Sequence, residues 1–118
     1  MSMPDLKVKD GVVLRAAHLR PHMTCIIEIA LQTAPDLAGN AVVITSAKRP
    51  DEGGRSRHPM CGAFDFRCKS IIARSQTERI TLATNWADDM ADLLGEDYDV
   101  IAHGEGDDLH VHAEYDPK

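Results

Sequence analysis

Apolar residues recur at helical spacing in two segments of the chain. The first, HLRPHMTCIIEIALQTAP, has Pro21 in its first turn and is ended by Pro35. The second begins with the capping box SQTE at 75–78, in which the Ser and Glu side chains satisfy exposed amides, and Gly95 suits its carboxyl-terminal cap. The predicted buried stripes are Met23, Ile26, Ile27, Ala30 and Ala34 in the first helix and Ile80, Ala83, Ala87, Met90 and Leu94 in the second.

Other segments have the patterns of strands and turns. The segment LKVKDGVVLR alternates around Asp10-Gly11, which favours an amino-terminal hairpin. The β-branched run NAVVITS predicts a buried strand, and DYDVIAH and DLHVHAEYD predict two more. From Ala47 to about Lys69 the chain is polar, which predicts a loop of about 20 residues, a length that is often functional. The pattern therefore predicts an α+β fold: a small antiparallel sheet with helices on one face.

Composition narrows the class of protein. The chain has 118 residues, which favours one domain spanning 1–118 and a monomer. Its net charge of −6 argues against nucleic acid and anionic membrane surfaces as partners. It has no apolar run long enough to span a bilayer and no secretory signal, so a cytoplasmic protein, as synthesised, is expected. Three cysteines argue against a disulfide framework, and Cys25 is predicted to be a small buried hydrophobe.

The terminal strand carries candidate metal ligands. Alternate residues of a strand share a face, so His110, His112 and Glu114 point one way and Val111 and Ala113 point to the core. Imidazoles and a carboxylate on one strand face suit zinc. This places a predicted zinc site on the sheet face opposite the helices.

The segment SRHPMCGAFDF adds two further candidates, His58 and Asp65. Gly62 and Ala63 between them let the backbone pass close to a site. A catalytic zinc takes about three protein ligands and one open position. His58, Asp65 and one histidine of the terminal strand supply that number.

Three motifs, ITSAKRP, SRHPMCGAFDF and LHVHAEYD, resemble the landmarks of the hedgehog/D-Ala-D-Ala peptidase superfamily, the LAS zinc peptidases. That family has a Thr-Ser-Gly-x-Arg-like strand end, then Ser-x-His-x-x-Gly-x-Ala-x-Asp, and last a His-x-His or Glu-x-x-His segment. The likeness is greatest to small phage-type, endolysin-like peptidases and covers roughly Gly11 to Lys118. It implies a zinc metallopeptidase that hydrolyses peptidoglycan stem peptides of the L-Ala-D-Glu or D-Ala-D-Ala type. It also implies action on the host cell wall after release.

The resemblance implies a role for each matching residue. His58, Asp65 and His112 match the zinc ligands. Ser56 matches the serine close to the metal site, on the substrate side. Arg49 and the first histidine of the pair, His110, match groups that hold the substrate and its developing oxyanion.

Two departures from the family pattern bear on the chemistry. Cys61 replaces a glycine, followed by Gly62, and its thiolate is either a packing substitute or an extra ligand. Leu109 stands where Glu-x-x-His members carry the general base. The favoured bases are therefore Asp107, slightly ahead, and Glu105; Asp108 and Glu114 stay open as alternatives.

Four other interpretations remain beside the peptidase. The first is a non-enzymatic zinc-binding domain of the same fold, used for recognition, and the second is a small structural protein with incidental histidines. A structural zinc cluster of His58, Cys61 and Cys68 lacks a fourth ligand. GEGDD resembles a calcium-loop fragment but lacks the alternation of an EF-hand. His18 and His22 flank Pro21 and are predicted to be surface residues.

Overall fold

The computed structural model describes residues 3–48 and 62–117. They form a small α+β fold, as predicted, with one five-stranded sheet and two helices. The elements in chain order are β1 (Asp5–Val8), α1 (Pro21–Thr33), β2 (Ala41–Lys48), β3 (Gly62–Arg67), α2 (Gln76–Leu94), β4 (Tyr98–His103) and β5 (His110–Tyr115). Neither helix of the described residues is long and apolar enough to cross a membrane.

The sheet is mixed rather than antiparallel. Its strand order is β1-β2-β3-β5-β4, and β1 pairs with β2 in parallel whereas the other pairs are antiparallel. The predicted amino-terminal hairpin is wrong. The chain does turn at Asp10-Gly11, where Val12 N–H donates to Lys9 C=O at 3.0 Å, but no return strand follows. Val12 and Leu14 pack against the core instead, and α1 carries the chain over to a parallel partner.

The prediction of a long loop from Ala47 to about Lys69 is also wrong for the carboxyl-terminal part of that segment. Gly62–Arg67 is β3, which lies between β2 and β5. Phe64 and Phe66 are fully buried and alternate with Asp65 and Arg67 on the opposite face. Asp65 is therefore fixed by a strand with a neighbour on each side.

Helix α2 begins and ends as the sequence predicts. The Ser75 side chain accepts a hydrogen bond from Glu78 N–H at 3.1 Å, and Gly95 ends the helix with φ of 93°. The Glu78 carboxylate accepts from Arg74 N–H at 3.1 Å, one residue before the position that a capping box uses. The cap thus stabilises the start of the longest helix.

The core lies between the helices and one face of the sheet. Ala83, Ala87 and Met90 of the predicted stripe are buried, but Ile80 is 40% exposed. The stripe centres on Trp86, which is 1% exposed. Its indole N–H donates to Ala30 C=O at 3.2 Å, which ties α2 to α1.

Two sequence predictions about single side chains are wrong. Cys25 is exposed, because the inward face of α1 is formed by Met23, Ile26 and Ala30. His18 is only 2% exposed, since the turn before α1 folds its ring against Phe64 with centroids 5.6 Å apart. The Nδ1 atom of His18 accepts from Arg15 N–H at 2.9 Å.

Candidate functional site

The polar face of β5 forms as strand alternation predicts. Val111 and Ala113 are fully buried in the core, whereas His110, His112 and Glu114 line a cleft on the opposite face. The helices therefore occupy one side of the sheet and leave the other side for polar chemistry.

Antiparallel pairing of β3 with β5 brings distant candidates together. Asp65 lies opposite His112, and Arg67 lies opposite His110. Residues directly opposite one another project to the same face. Asp65 Oδ1 and His112 Nδ1 are 2.6 Å apart although the residues are separated by 47 positions in sequence. The two predicted ligands that the structure describes are thus neighbours.

The cleft has a volume of about 360 Å³, a size typical of small-ligand sites. Four further residues line it, from the end of β2 and along β4: Lys48, Asp99, Ile101 and His103. None of these four was predicted to be a site residue. The signal was present in DYDVIAH, where Asp99, Ile101 and His103 share one strand face at a period of two.

Both ring nitrogens of His112 face carboxylates. Nδ1 lies 2.6 Å from Asp65 Oδ1, and Nε2 lies 3.4 Å from Glu114 Oε1. Only the protonated imidazolium donates to both. The hydrogen bond to Asp65 is the main cause that raises the pKa of His112 above its usual value, partial burial opposes it, and Glu114 adds to the rise.

The free energy of unfolding of the zinc-free protein is expected to fall with rising pH. The pKa of His112 is raised above 6.5 in the folded chain, so the protonated pair stabilises fully below about pH 6.5. That stabilisation is lost as the pH rises through the higher folded-state value. Urea denaturation across this pH window measures it. The Asp65→Asn variant should show a smaller decline, and an equal decline in both proteins would contradict the assignment.

The donor types at this pair fit zinc. A neutral imidazole nitrogen and a carboxylate oxygen are both ordinary zinc ligands. The ion competes with the proton that His112 now shares with Asp65, because a ligating histidine must be unprotonated at the bonding nitrogen. Glu114 is 5% exposed and accepts a hydrogen bond from Nε2–H, the arrangement by which a buried carboxylate orients a ligating imidazole.

His110 is oriented by the backbone. Its Nδ1 lies 2.8 Å from Asp108 C=O, so Nδ1–H donates there and Nε2 is the ring nitrogen left for another partner. Its ring contacts that of His103 edge-on, with centroids 5.4 Å apart. His110 is therefore held next to the Asp65–His112 pair.

The carboxylates considered as general base lie in different places. A second cleft adjoins the first and shares Asp65 and His110 with it. Glu105 is exposed and lines neither cleft. Asp107 and Asp108 line the adjoining cleft together with Asp65 and His110. Glu114 contacts His112 Nε2, whereas Asp65 contacts Nδ1 on the other side of the ring. Asp107 and Asp108 therefore share the second cleft with Asp65 and His110, whereas Glu114 shares the first cleft with the same two residues.

Four residues named by the sequence lie outside the described residues: Arg49, Ser56, His58 and Cys61. His58 as a third zinc ligand, and Arg49 and Ser56 as substrate contacts, stay predictions.

A second group of possible ligands lies at the edge of the cleft. Among residues 3–48 and 62–117, only Asp99, Glu114 and Asp116 bring three ligand atoms within 4.8 Å of one another. The group contains oxygen donors only, which suit calcium or magnesium better than zinc. Exposed acidic groups of this kind are common without an ion.

Comparison with known proteins identifies no relative. No family model, curated protein or solved structure matches the chain.

Proposed function

We propose that this protein is a zinc-dependent peptidase that hydrolyses peptide bonds of bacterial peptidoglycan stem peptides. The observation that carries the proposal is the Asp65–His112 pair, 2.6 Å apart in a polar cleft. The resemblance to the hedgehog/D-Ala-D-Ala peptidase superfamily implies a zinc ligand at each of these two positions. A phage endolysin acting on the host wall after release is the most concrete form of the proposal.

The residues that would hold zinc are His58, Asp65 and His112. When bound, the ion supplies a Lewis acid and lowers the pKa of a coordinated water. Glu114 keeps the His112 ring turned so that Nδ1 faces Asp65. It is a positioning residue because it contacts the ring on the side away from Asp65.

The remaining steps are assigned to groups around His110. Asp107 accepts the proton of the attacking water and returns it to the leaving amine, since it lines the cleft that also contains Asp65 and His110. In its doubly protonated form, His110 donates from Nε2 to the oxyanion, since its Nδ1–H is already bonded to Asp108 C=O. Arg49 supports it as the resemblance implies. Glu105 is a weaker candidate because it lines neither cleft.

Metal content and hydrolysis measured together test the proposal. The purified protein should contain about one zinc per chain, the stoichiometry of a site with three protein ligands. It should release new amino termini from purified peptidoglycan. Chelation should remove both properties, and added zinc should restore them.

Each other outcome points elsewhere. Bound zinc without release of amino termini would contradict the peptidase proposal and favour a zinc-binding domain used for recognition. Absence of both would overturn the metal site and leave the histidines as structural residues.

A further inference from the structure

A second cleft adjoins the candidate site. It has a volume of about 410 Å³ and shares Asp65 and His110 with the first cleft. Three basic side chains line it: Lys9, just after β1, and Arg67 and Lys69, at the end of β3. We call these three residues the cationic cluster.

The cationic cluster has no anionic partner in the part of the chain that the structure describes. The ion pairs between residues of 3–48 and 62–117 do not include Lys9, Arg67 or Lys69. Asp107 and Asp108 line the same cleft from the turn before β5, but not within ion-pair distance of the cluster. Asp65 also lines this cleft but is paired with His112, so three cations without an anionic partner among the described residues face Asp107 and Asp108 alone. This excess of positive charge suits an anionic ligand.

The register of the sheet sets the distance from this cluster to the proposed reaction centre. Arg67 lies opposite His110, one step along the ladder from the pair formed by Asp65 and His112. Two residues of a strand span roughly 6.6 Å, and one residue of an extended peptide spans about 3.5 Å. The long Arg67 side chain spans the remaining few ångströms, so a carboxylate on the substrate residue next to the scissile bond would lie within its reach.

We propose that the cationic cluster binds a free carboxylate on the substrate residue that adjoins the scissile bond. The inference rests on the proposed peptidase function and narrows its substrates. The guanidinium of Arg67 offers paired N–H donors that match a carboxylate, and Lys9 and Lys69 add positive charge in the same cleft. Three cations in a cleft that also contains Asp65, Asp107 and Asp108 are too few to follow a nucleic-acid backbone.

Two sources of such a carboxylate exist in a stem peptide. A terminal D-Ala-D-Ala carries it as the chain terminus. An L-Ala-γ-D-Glu unit carries it as the α-carboxylate of the γ-linked glutamate. Amidation of either group removes the charge without changing the peptide backbone.

Binding to the zinc-free protein separates this inference from hydrolysis. Calorimetry would measure the dissociation constants of four peptides: diacetyl-Lys-D-Ala-D-Ala and L-Ala-γ-D-Glu, each as the free acid and as the amide at the carboxylate in question. Wild-type protein should bind one acid about tenfold to hundredfold more tightly than its amide, the range for a hydrogen bond between charged groups. The peptide that shows the preference identifies the source of the carboxylate.

Matched charge changes locate the effect. Arg67→Gln should abolish the preference for acid over amide, whereas Arg20→Gln removes an exposed cation at the start of α1 and should retain it. Equal binding of acid and amide, no binding of any peptide, or a preference that survives Lys9→Gln/Arg67→Gln/Lys69→Gln would each overturn the inference. Zinc-dependent cleavage without a preference for the acid would support the peptidase proposal and contradict only the carboxylate-binding role of the cationic cluster.

Discussion

Replacing His112 by alanine is expected to abolish both zinc binding and hydrolysis. The substitution removes the imidazole whose Nδ1 lies 2.6 Å from Asp65 Oδ1. Of the predicted zinc ligands that the structure describes, only Asp65 then remains. Loss of a group that merely orients a ligand weakens metal binding 10–100-fold. Loss of the ligand itself should therefore cost more than about hundredfold in zinc affinity, measured by competition with a chromophoric chelator.

Two other histidines make this test specific. His110→Ala should retain zinc but lose most of the turnover, because His110 is assigned to the substrate rather than to the ion. His22→Ala removes a ring that packs against Tyr115, with centroids 4.4 Å apart, and lines neither cleft. It should retain both zinc and activity. If folded His112→Ala protein bound zinc as tightly as wild type, the ligand assignment would be wrong.

Truncation of Trp86 to alanine is expected to lower the free energy of unfolding by about 3–5 kcal/mol. The side chain is 1% exposed, contacts Phe66 with centroids 6.0 Å apart, and donates to Ala30 C=O. Its loss opens a cavity between both helices and the strand that carries Asp65. Against a typical total of about 5–15 kcal/mol, this is a large fraction. Urea denaturation measures it as a lower midpoint.

A second residue of the same helix provides the control. Leu93 is 61% exposed, so Leu93→Ala should change the free energy of unfolding by less than about 0.5 kcal/mol. Trp86→Phe retains most of the buried ring and should cost less than the alanine variant. A Trp86→Ala protein as stable as Leu93→Ala would show that the core does not depend on the indole.

Local sequence signals predicted the elements that depend on neighbours in the chain. Helix α2 was delimited by Ser75 and Gly95, which act through their own backbone neighbourhood. The faces of β5 followed from alternation alone. Misplaced elements depend on distant partners: β1 forms a parallel pair with β2 across α1, which a turn pair such as Asp10-Gly11 does not reveal.

The missed strand β3 has a similar explanation. Gly62–Arg67 follows a long polar stretch, and its two aromatic residues were too few to outweigh that polarity in a sequence window. Burial of Phe64 and Phe66 against the helices supplies the stabilisation.

Only part of the candidate site was available from the sequence. The shared face of His110 and His112 followed from strand period, whereas Asp65 entered as a ligand through spacing and the family resemblance. Arg67, Lys9 and Lys69 could not be grouped, since Lys9 is brought to the others by the pairing of β1 with β2. Tertiary proximity of this kind has no local signature.

The position of β1 has a consequence for motion. This strand has four residues, all exposed, and pairs with β2 alone. Short edge segments with few buried contacts open at low free-energy cost and exchange their amide hydrogens early. Lys9 N–H donates to Ile44 C=O at 2.9 Å directly after the strand, so Lys9 leaves the cleft whenever β1 detaches. Fraying at this edge and occupancy of the cationic cluster are therefore thermodynamically linked, and a bound carboxylate should reduce the fraying.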